Sequence, residues 1–285
     1  MPDAVVHQKL EPVAIAVAPN GGRRTKVDHP ALPITADEQA LTAAGCLEAG
    51  AAMYHCHVRD GEGRHLLDAG AYADVIQAIR SKVGERLVIQ ITTEAVGRYG
   101  PQEQMAVVRA VRPEAASLAL GELAPDATHE AAFADFLAFM ACEKIVPQII
   151  LYHPDEALRL HDMMRRGIVP FDDIPVLYVL GRYTPCQRSA PSDLLPFIAS
   201  GMPRFAHFMV CAFGAQETAC VSAGALLGGH ARVGFENNLH LPDGRPAGDN
   251  AELVASTATA LRALGLSHAT ADDLRAAWQR GMQAN

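Results

Sequence analysis

Short apolar and β-branched runs alternate with longer stretches of helical period along the chain. The predicted strands are Ala14–Ala18, Met53–Val58, Leu87–Thr93, Ala116–Leu120, Gln148–Tyr152, Val176–Leu180, Ala206–Cys211 and Ala231–Phe235. The segments between them carry helix punctuation. Thr35-Ala-Asp-Glu38 has the form of a capping box, opening a helix that runs to a stop at Gly50. Gly100-Pro101 places proline in a first helical turn, and Arg112-Pro113 ends that helix. Thr128, Asp155 and Ser192 read as further N-caps, and Gly167, Gly201 and Gly228 as stops. Two last helices are expected, one near Ala251–Leu264 and one opened by Thr270-Ala-Asp-Asp273.

Strands each followed by a helix, with no break in composition and no linker, predict an α/β chain folded as one (β/α)8 barrel domain over residues 1–285. The rival is an open, doubly wound sheet. It would carry a glycine-rich phosphate fingerprint after an early strand, and Pro19-Asn-Gly-Gly22 lacks that spacing.

Composition narrows the partners. With 285 residues, 49% of them apolar, the chain can bury a large core. A net charge of −8 disfavours nucleic acid and anionic membrane surfaces. No charged n-region leads into an apolar h-region at the N-terminus, and the apolar runs are far shorter than a membrane span. Cys46, Cys56, Cys142, Cys186, Cys211 and Cys220 form no Cys-x-x-Cys pair, and are expected to be reduced, buried thiols of a cytoplasmic protein.

The chemistry starts at His55 and His57. Strand residues alternate faces, so imidazoles at i and i+2 converge, which suits a Zn²⁺ site, while Cys56 between them faces away. The plain alternative is a half-buried strand whose histidines hydrogen-bond within the core. On a barrel, active-site groups gather at the C-terminal strand ends. Polar residues stand at most of those ends: Asn20 to Arg24, Thr92-Thr93-Glu94, Gly121-Glu122, Tyr152-His153 and Arg232 to Asn238. Glu236 is the natural third ligand, unless it only pairs with Arg59 or Arg232. Two histidines and one carboxylate leave an open position, the mark of a catalytic metal site; a structural site would want four protein ligands. Mn²⁺, Fe²⁺ or Co²⁺ would also suit these ligands.

Several motifs together resemble the β-keto acid cleavage enzymes, the family that includes the 3-keto-5-aminohexanoate cleavage enzyme. They are Asp28-His-Pro-Ala-Leu-Pro-Ile-Thr35, His55-Cys-His57-Val-Arg59-Asp60, Gln90-Ile-Thr-Thr93 and Arg232-Val-Gly-Phe-Glu-Asn-Asn238. The resemblance implies a barrel holding one Zn²⁺ through His55, His57 and Glu236. It also implies condensation of a β-keto acid with acetyl-CoA, then retro-Claisen release of acetoacetate and a new acyl-CoA, and a homotetramer. Arg232 would face developing negative charge, and Thr92 would hydrogen-bond the substrate carboxylate.

The chain departs from the family at two places. The residue after the metal-binding glutamate is usually an aspartate that forms a proton-abstracting dyad with the arginine, and here it is Asn237. An amide cannot take a proton at neutral pH. The base is then expected to be Glu94 or Glu122, failing which a zinc-bound hydroxide would serve, or the branch runs a different reaction. The second departure is at the two glutamates that grip the aminohexanoate ammonium. Those positions align with Arg23 and Ile150, which would favour an anionic or apolar tail, unless Arg23 and Arg24 face solvent or CoA phosphates. Gly181 and Gly214 are the only hint of a CoA contact. Two rivals remain. One is a metal-dependent amidohydrolase that would use His153. The other is a ligand-binding barrel that kept its metal after losing its base.

Overall fold

The computed structural model describes residues 11–281. The expectation about the N-terminus falls partly on residues 1–10, outside the described residues. The core is a closed, parallel, eight-stranded barrel, as the alternating pattern requires. Its strands are β1 (Ile15–Val17), β2 (Met53–Cys56), β5 (Val88–Thr92), β6 (Ala115–Ala119), β7 (Val146–Leu151), β8 (Val176–Leu180), β9 (Phe208–Ala212) and β10 (His230–Val233). Each strand pairs with the next and β10 closes on β1, with Ala16 opposite Arg232. The remaining two, β3 (Val58–Arg59) and β4 (His65–Leu66), form a short antiparallel ribbon after β2.

Both faces of these strands are covered, which is why they read as near-continuous apolar runs. One face packs on the helices around Tyr54, Tyr72, Phe133 and Phe136. The other fills the barrel with Met53, Val88, Leu177 and Met209. The outer helices are α1 (Ala36–Glu48), α2 (Ala69–Val83), α3 (Pro101–Val111), α5 (Glu130–Cys142), α6 (Pro154–Arg165), α8 (Glu217–Leu226) and α9 (Asn250–Ala263). A single turn, α4 (Leu120–Leu123), follows β6 directly. The last helix, α10 (Ala271–Gly281), crosses the N-terminal end of the barrel. There Ala271, Leu274 and Trp278 join the barrel-filling cluster and plug it. Among the described residues no helix is long and apolar enough to cross a membrane.

The Thr35–Glu38 capping box is present, as is the left-handed stop at Arg112 before Pro113. Three expected caps are not. Asp126, not Thr128, accepts the first amide of the turn before α5. His153, not Asp155, caps α6 through its ring nitrogen, with Pro154 in the first turn. Ser192 caps nothing, because no full helix follows β8. The segment there makes 3-10 turns and a four-residue helix, α7 (Leu195–Ile198). All six cysteines are free, but Cys142 and Cys186 are exposed rather than buried. Gly181 and Gly214 are both pressed against a neighbouring segment. A Cβ on either would meet the backbone of Gln187–Arg188 within 2.9 Å, so both admit that segment against the barrel rim.

Candidate active site

β2 carries its inward residues at a period of two, which brings Met53 into the barrel filling and His55 and His57 to its C-terminal end. The two Nε2 atoms lie 3.1 Å apart. Glu236 Oε2 stands 3.1 Å from Nε2 of His57 and 3.8 Å from Nε2 of His55. Three ligands about 2.0–2.2 Å from one ion would be spaced by roughly 3.3–3.6 Å in a tetrahedral site. The sides of the triangle, 3.1, 3.1 and 3.8 Å, straddle that spacing, and among the described residues these three form the one group placed to hold a metal ion. Cys56 faces the other way, its thiol donating to the carbonyl of Gln90.

Neighbouring groups prepare the ligands. Burial, with Arg232 adding to it, holds His55 well below its ordinary pKa, so the ring is neutral. Its Nδ1–H donates to Gln90 Oε1 at 2.8 Å, which leaves Nε2 as the lone-pair nitrogen. The Gln90 amide in turn donates to Gln148 Oε1 at 3.1 Å. The backbone carbonyl of His57 is held by Asn20 and Gln39. Glu236 Oε1 takes a 2.6 Å ion pair from Arg232. Burial alone would raise the Glu236 pKa, but Arg232 and the histidines hold it well below the usual carboxylate range. Glu236 therefore makes the Arg232 pair and also faces the histidines; it does not choose between them. Arg59 is not its partner and instead collects the carbonyls of Asn20, Gly21, Gly63 and Arg24.

The loop that presents Glu236 is fixed from below. A Cβ at Gly234 (φ +134) would lie 2.4 Å from the carbonyl oxygen of Ala18, so only glycine lets this turn press against the end of β1. Glu217, fully buried at the start of α8, accepts the Gly234 amide and the Asn238 side chain. Burial pushes Glu217 up to about 8, against the lowering effect of the Asn238 and Gly234 hydrogen bonds. Arg24 and Asn250 hold the carbonyl and amide of Phe235.

Above the triangle lies a cavity of about 420 Å³. Its polar wall includes Thr92, Glu94, Ser117, Arg182, Arg232 and Asn237. Its apolar wall is Ile150, Tyr152, Val179 and Phe213. A second, outer space of about 350 Å³ shares Glu94, Arg182, Phe213 and Glu236 with it and is bordered by the loop Asn20–Arg24. Among the described residues, Ser117 Oγ, His57 Nδ1, Arg232 Nε and both side-chain atoms of Asn237 are buried without a hydrogen-bond partner. Each such group costs about 1–3 kcal/mol when left unpaired. Their concentration on one cavity wall is what a polar ligand and a cation would relieve.

Glu94 enters this cavity, with Oε2 3.8 Å from His57 Nδ1 and Oε1 3.3 Å from Arg182 Nη2. Glu122 does not. Its Oε2 accepts from the Ala95 amide and the Gln104 side chain, and burial raises its pKa in that setting. Thr92 and Ile150 line the cavity. Arg23 borders only the outer space, 57% exposed and 3.9 Å from Glu94. His153, the residue an amidohydrolase would need, is 68% exposed and occupied as a helix cap. Sequence reasoning singled out the Gln90 motif without giving Gln90 a role, and missed Ser117 and Arg182 as site residues. It also missed His65, whose ring packs 5.3 Å from that of His57 and bonds the Glu94 carbonyl. Burial, followed by the nearby His57, lowers its pKa to about 3.

A parallel barrel that gathers two histidines and one carboxylate at its C-terminal mouth has the arrangement of a barrel enzyme with a candidate metal site. The chain belongs to the beta-keto acid cleavage enzyme family, which it matches over residues 12–279. It is 29% identical to the 3-keto-5-aminohexanoate cleavage enzyme of Fusobacterium nucleatum, across 93% of this chain and 97% of that one. It is 28% identical to the 3-oxoadipate:acetyl-CoA acetyltransferase of Cupriavidus necator, across 93% and 94%. Among solved structures, apo ObcA superposes with a TM-score of 0.68 at 18% identity, covering 88% of this chain and 66% of that longer chain, a likeness of fold.

Proposed function

We propose that the protein transfers the acyl part of a β-keto acid to CoA, using acetyl-CoA and releasing acetoacetate. The observation that carries this reading is the convergence of His55, His57 and Glu236 at the bottom of a cavity at the barrel mouth, in a chain of this family. The names of relatives that use acetyl-CoA support the co-substrate. A bound divalent ion, Zn²⁺ by the donor set, would act there as a Lewis acid for the keto oxygen.

The residues divide the remaining work. Glu94, placed in the cavity, takes the proton from the carbon between ketone and carboxylate. That carbon then attacks the acetyl carbonyl and CoA leaves as the thiolate. The thiolate adds to the original ketone, the old C–C bond breaks, and the proton returns from Glu94 to the departing acetoacetate carbon. Arg232 lies beside the negative charge as it builds. Ser117, Thr92 and the Asn237 amide offer hydrogen bonds to the substrate carboxylate. Aminated β-keto acids would be poor substrates, because the cavity's two glutamates, Glu94 and Glu236, already face arginines.

The test is to mix metal-loaded protein with acetyl-CoA and a panel of β-keto acids and to assay acetoacetate. The reading fails if no keto acid yields acetoacetate in an acetyl-CoA-dependent way. His55→Ala should abolish both turnover and stoichiometric metal binding, since two ligands cannot hold the ion tightly.

A further inference from the structure

We infer that Arg182 is the specificity-determining residue for the far end of the substrate, and that the site is built for β-keto acids whose tail ends in a second carboxylate. This rests on the keto acid reading above and adds the substrate class.

Arg182 stands at the junction of the two spaces and borders both. Its guanidinium lies over Phe213 at 5.2 Å and Tyr183 at 5.8 Å, which holds its plane in place. Its side-chain hydrogen bonding among the described residues is one long contact, Nη2 to Glu94 Oε1 at 3.3 Å. A guanidinium carries five N–H donors in a rigid fork, so most of its capacity is unspent at the cavity wall.

Charge counting points the same way. Arg232 is matched by Glu236 at 2.6 Å. Arg24 spends Nη1 on the Phe235 carbonyl. Arg23 and Arg182 share a single oxygen, Glu94 Oε1, at 3.9 and 3.3 Å. Glu122 also acts electrostatically on Arg23, so the under-used cation at that junction is Arg182, whose one side-chain hydrogen-bond partner among the described residues is the long Glu94 contact.

Ile150, Tyr152, Val179 and Phe213 make up the apolar wall of the inner cavity, while Glu94 spans from His57, at 3.8 Å, to Arg182, at 3.3 Å, on its polar side. The cavity therefore offers Arg232 at the metal triangle, an apolar wall beside it, and the Arg182 guanidinium across Glu94 from the triangle. A short hydrocarbon chain with a carboxylate at each end matches that order. Arg23, exposed in the outer space, does not reach the inner wall.

The test uses unreactive acids, so that it does not depend on turnover. Titration calorimetry on the zinc-loaded protein compares glutarate and adipate with pentanoate and hexanoate. One charge-assisted pair predicts that the better diacid binds roughly ten- to a hundredfold more tightly than its monoacid counterpart. Arg182→Gln should erase that preference while leaving monoacid binding in place, and Arg182→Lys should keep part of it. Arg23→Gln should leave it unchanged. Equal binding of diacid and monoacid overturns the inference, as does a preference that survives Arg182→Gln or no measurable binding of any of the acids. A diacid preference that depends on Arg182, in a protein without acetyl-CoA-dependent cleavage, would support the subsite and remove only the reaction assigned above.

Discussion

The side-chain oxygen of Gln90 sits 2.8 Å from Nδ1 of His55, across paired positions of two adjacent barrel strands. That one contact decides which His55 nitrogen faces the cavity. Gln90→Leu removes the acceptor with little change in volume, and metal affinity should fall about 10–100-fold. Competition with a chromophoric chelator measures this, with the melting temperature of the metal-free protein as a check on folding. Unchanged affinity would mean that His55 needs no such partner.

Glu94 and Asn237 form the second pair to test. Glu94→Gln keeps the shape and hydrogen-bonding reach of the side chain but cannot accept a proton, and kcat should drop roughly 10²–10⁴-fold. Glu122→Gln should have little effect, because Gln104 and the Ala95 amide hold that side chain outside the cavity. Asn237→Asp should cost little or raise the rate, by restoring the family's acid beside Arg232. If Glu94→Gln turns over like wild type, the substitute-base assignment falls.

His65 gives a pH dependence with a defined sign. Its folded pKa of about 3 lies below its ordinary value near 6.5. Between these values the unfolded chain binds the extra proton and the folded protein does not, so stability rises with pH through this window and levels off above it. His230, lowered to about 4 chiefly by burial, acts in the same direction. Urea unfolding midpoints of the metal-free protein should therefore climb from pH 5 to 7, and His65→Gln should flatten part of the climb. A slope unaffected by that substitution would show that His65 is not what titrates.

The barrel was legible because its strands are buried on both faces. The run Val176–Leu180 gave its own boundaries, and the period-two spacing of His55 and His57 survived as geometry. Helix caps were harder. A histidine that caps through its ring nitrogen, as His153 does, leaves no local signature. The missing helix after β8 was hidden because Ser192 and Gly201 look like ordinary punctuation. Gln90, Ser117 and Arg182 are single polar residues on or after strands, and only closure of the barrel brings them together. Glu94 and Glu122 occupy equivalent places in sequence. The tight turn of α4 after β6 carries Glu122 toward Gln104, whereas Glu94 leaves its strand facing His57.

The plug made by Ala271, Leu274 and Trp278 turns the barrel into a blind shaft. The cavity over His55, His57 and Glu236 shares Glu94, Arg182, Phe213 and Glu236 with the outer space beside Arg23, so that space is a way in from the mouth. On the reaction proposed above, a thioester bound in the mouth would shut out a small keto acid, which is therefore expected to bind first. Acetoacetate, formed beneath the acyl-CoA, is expected to leave after it. Arrival and departure are thus a queue with a fixed order, and steady-state kinetics should show ordered addition, with the acyl-CoA product leaving ahead of acetoacetate.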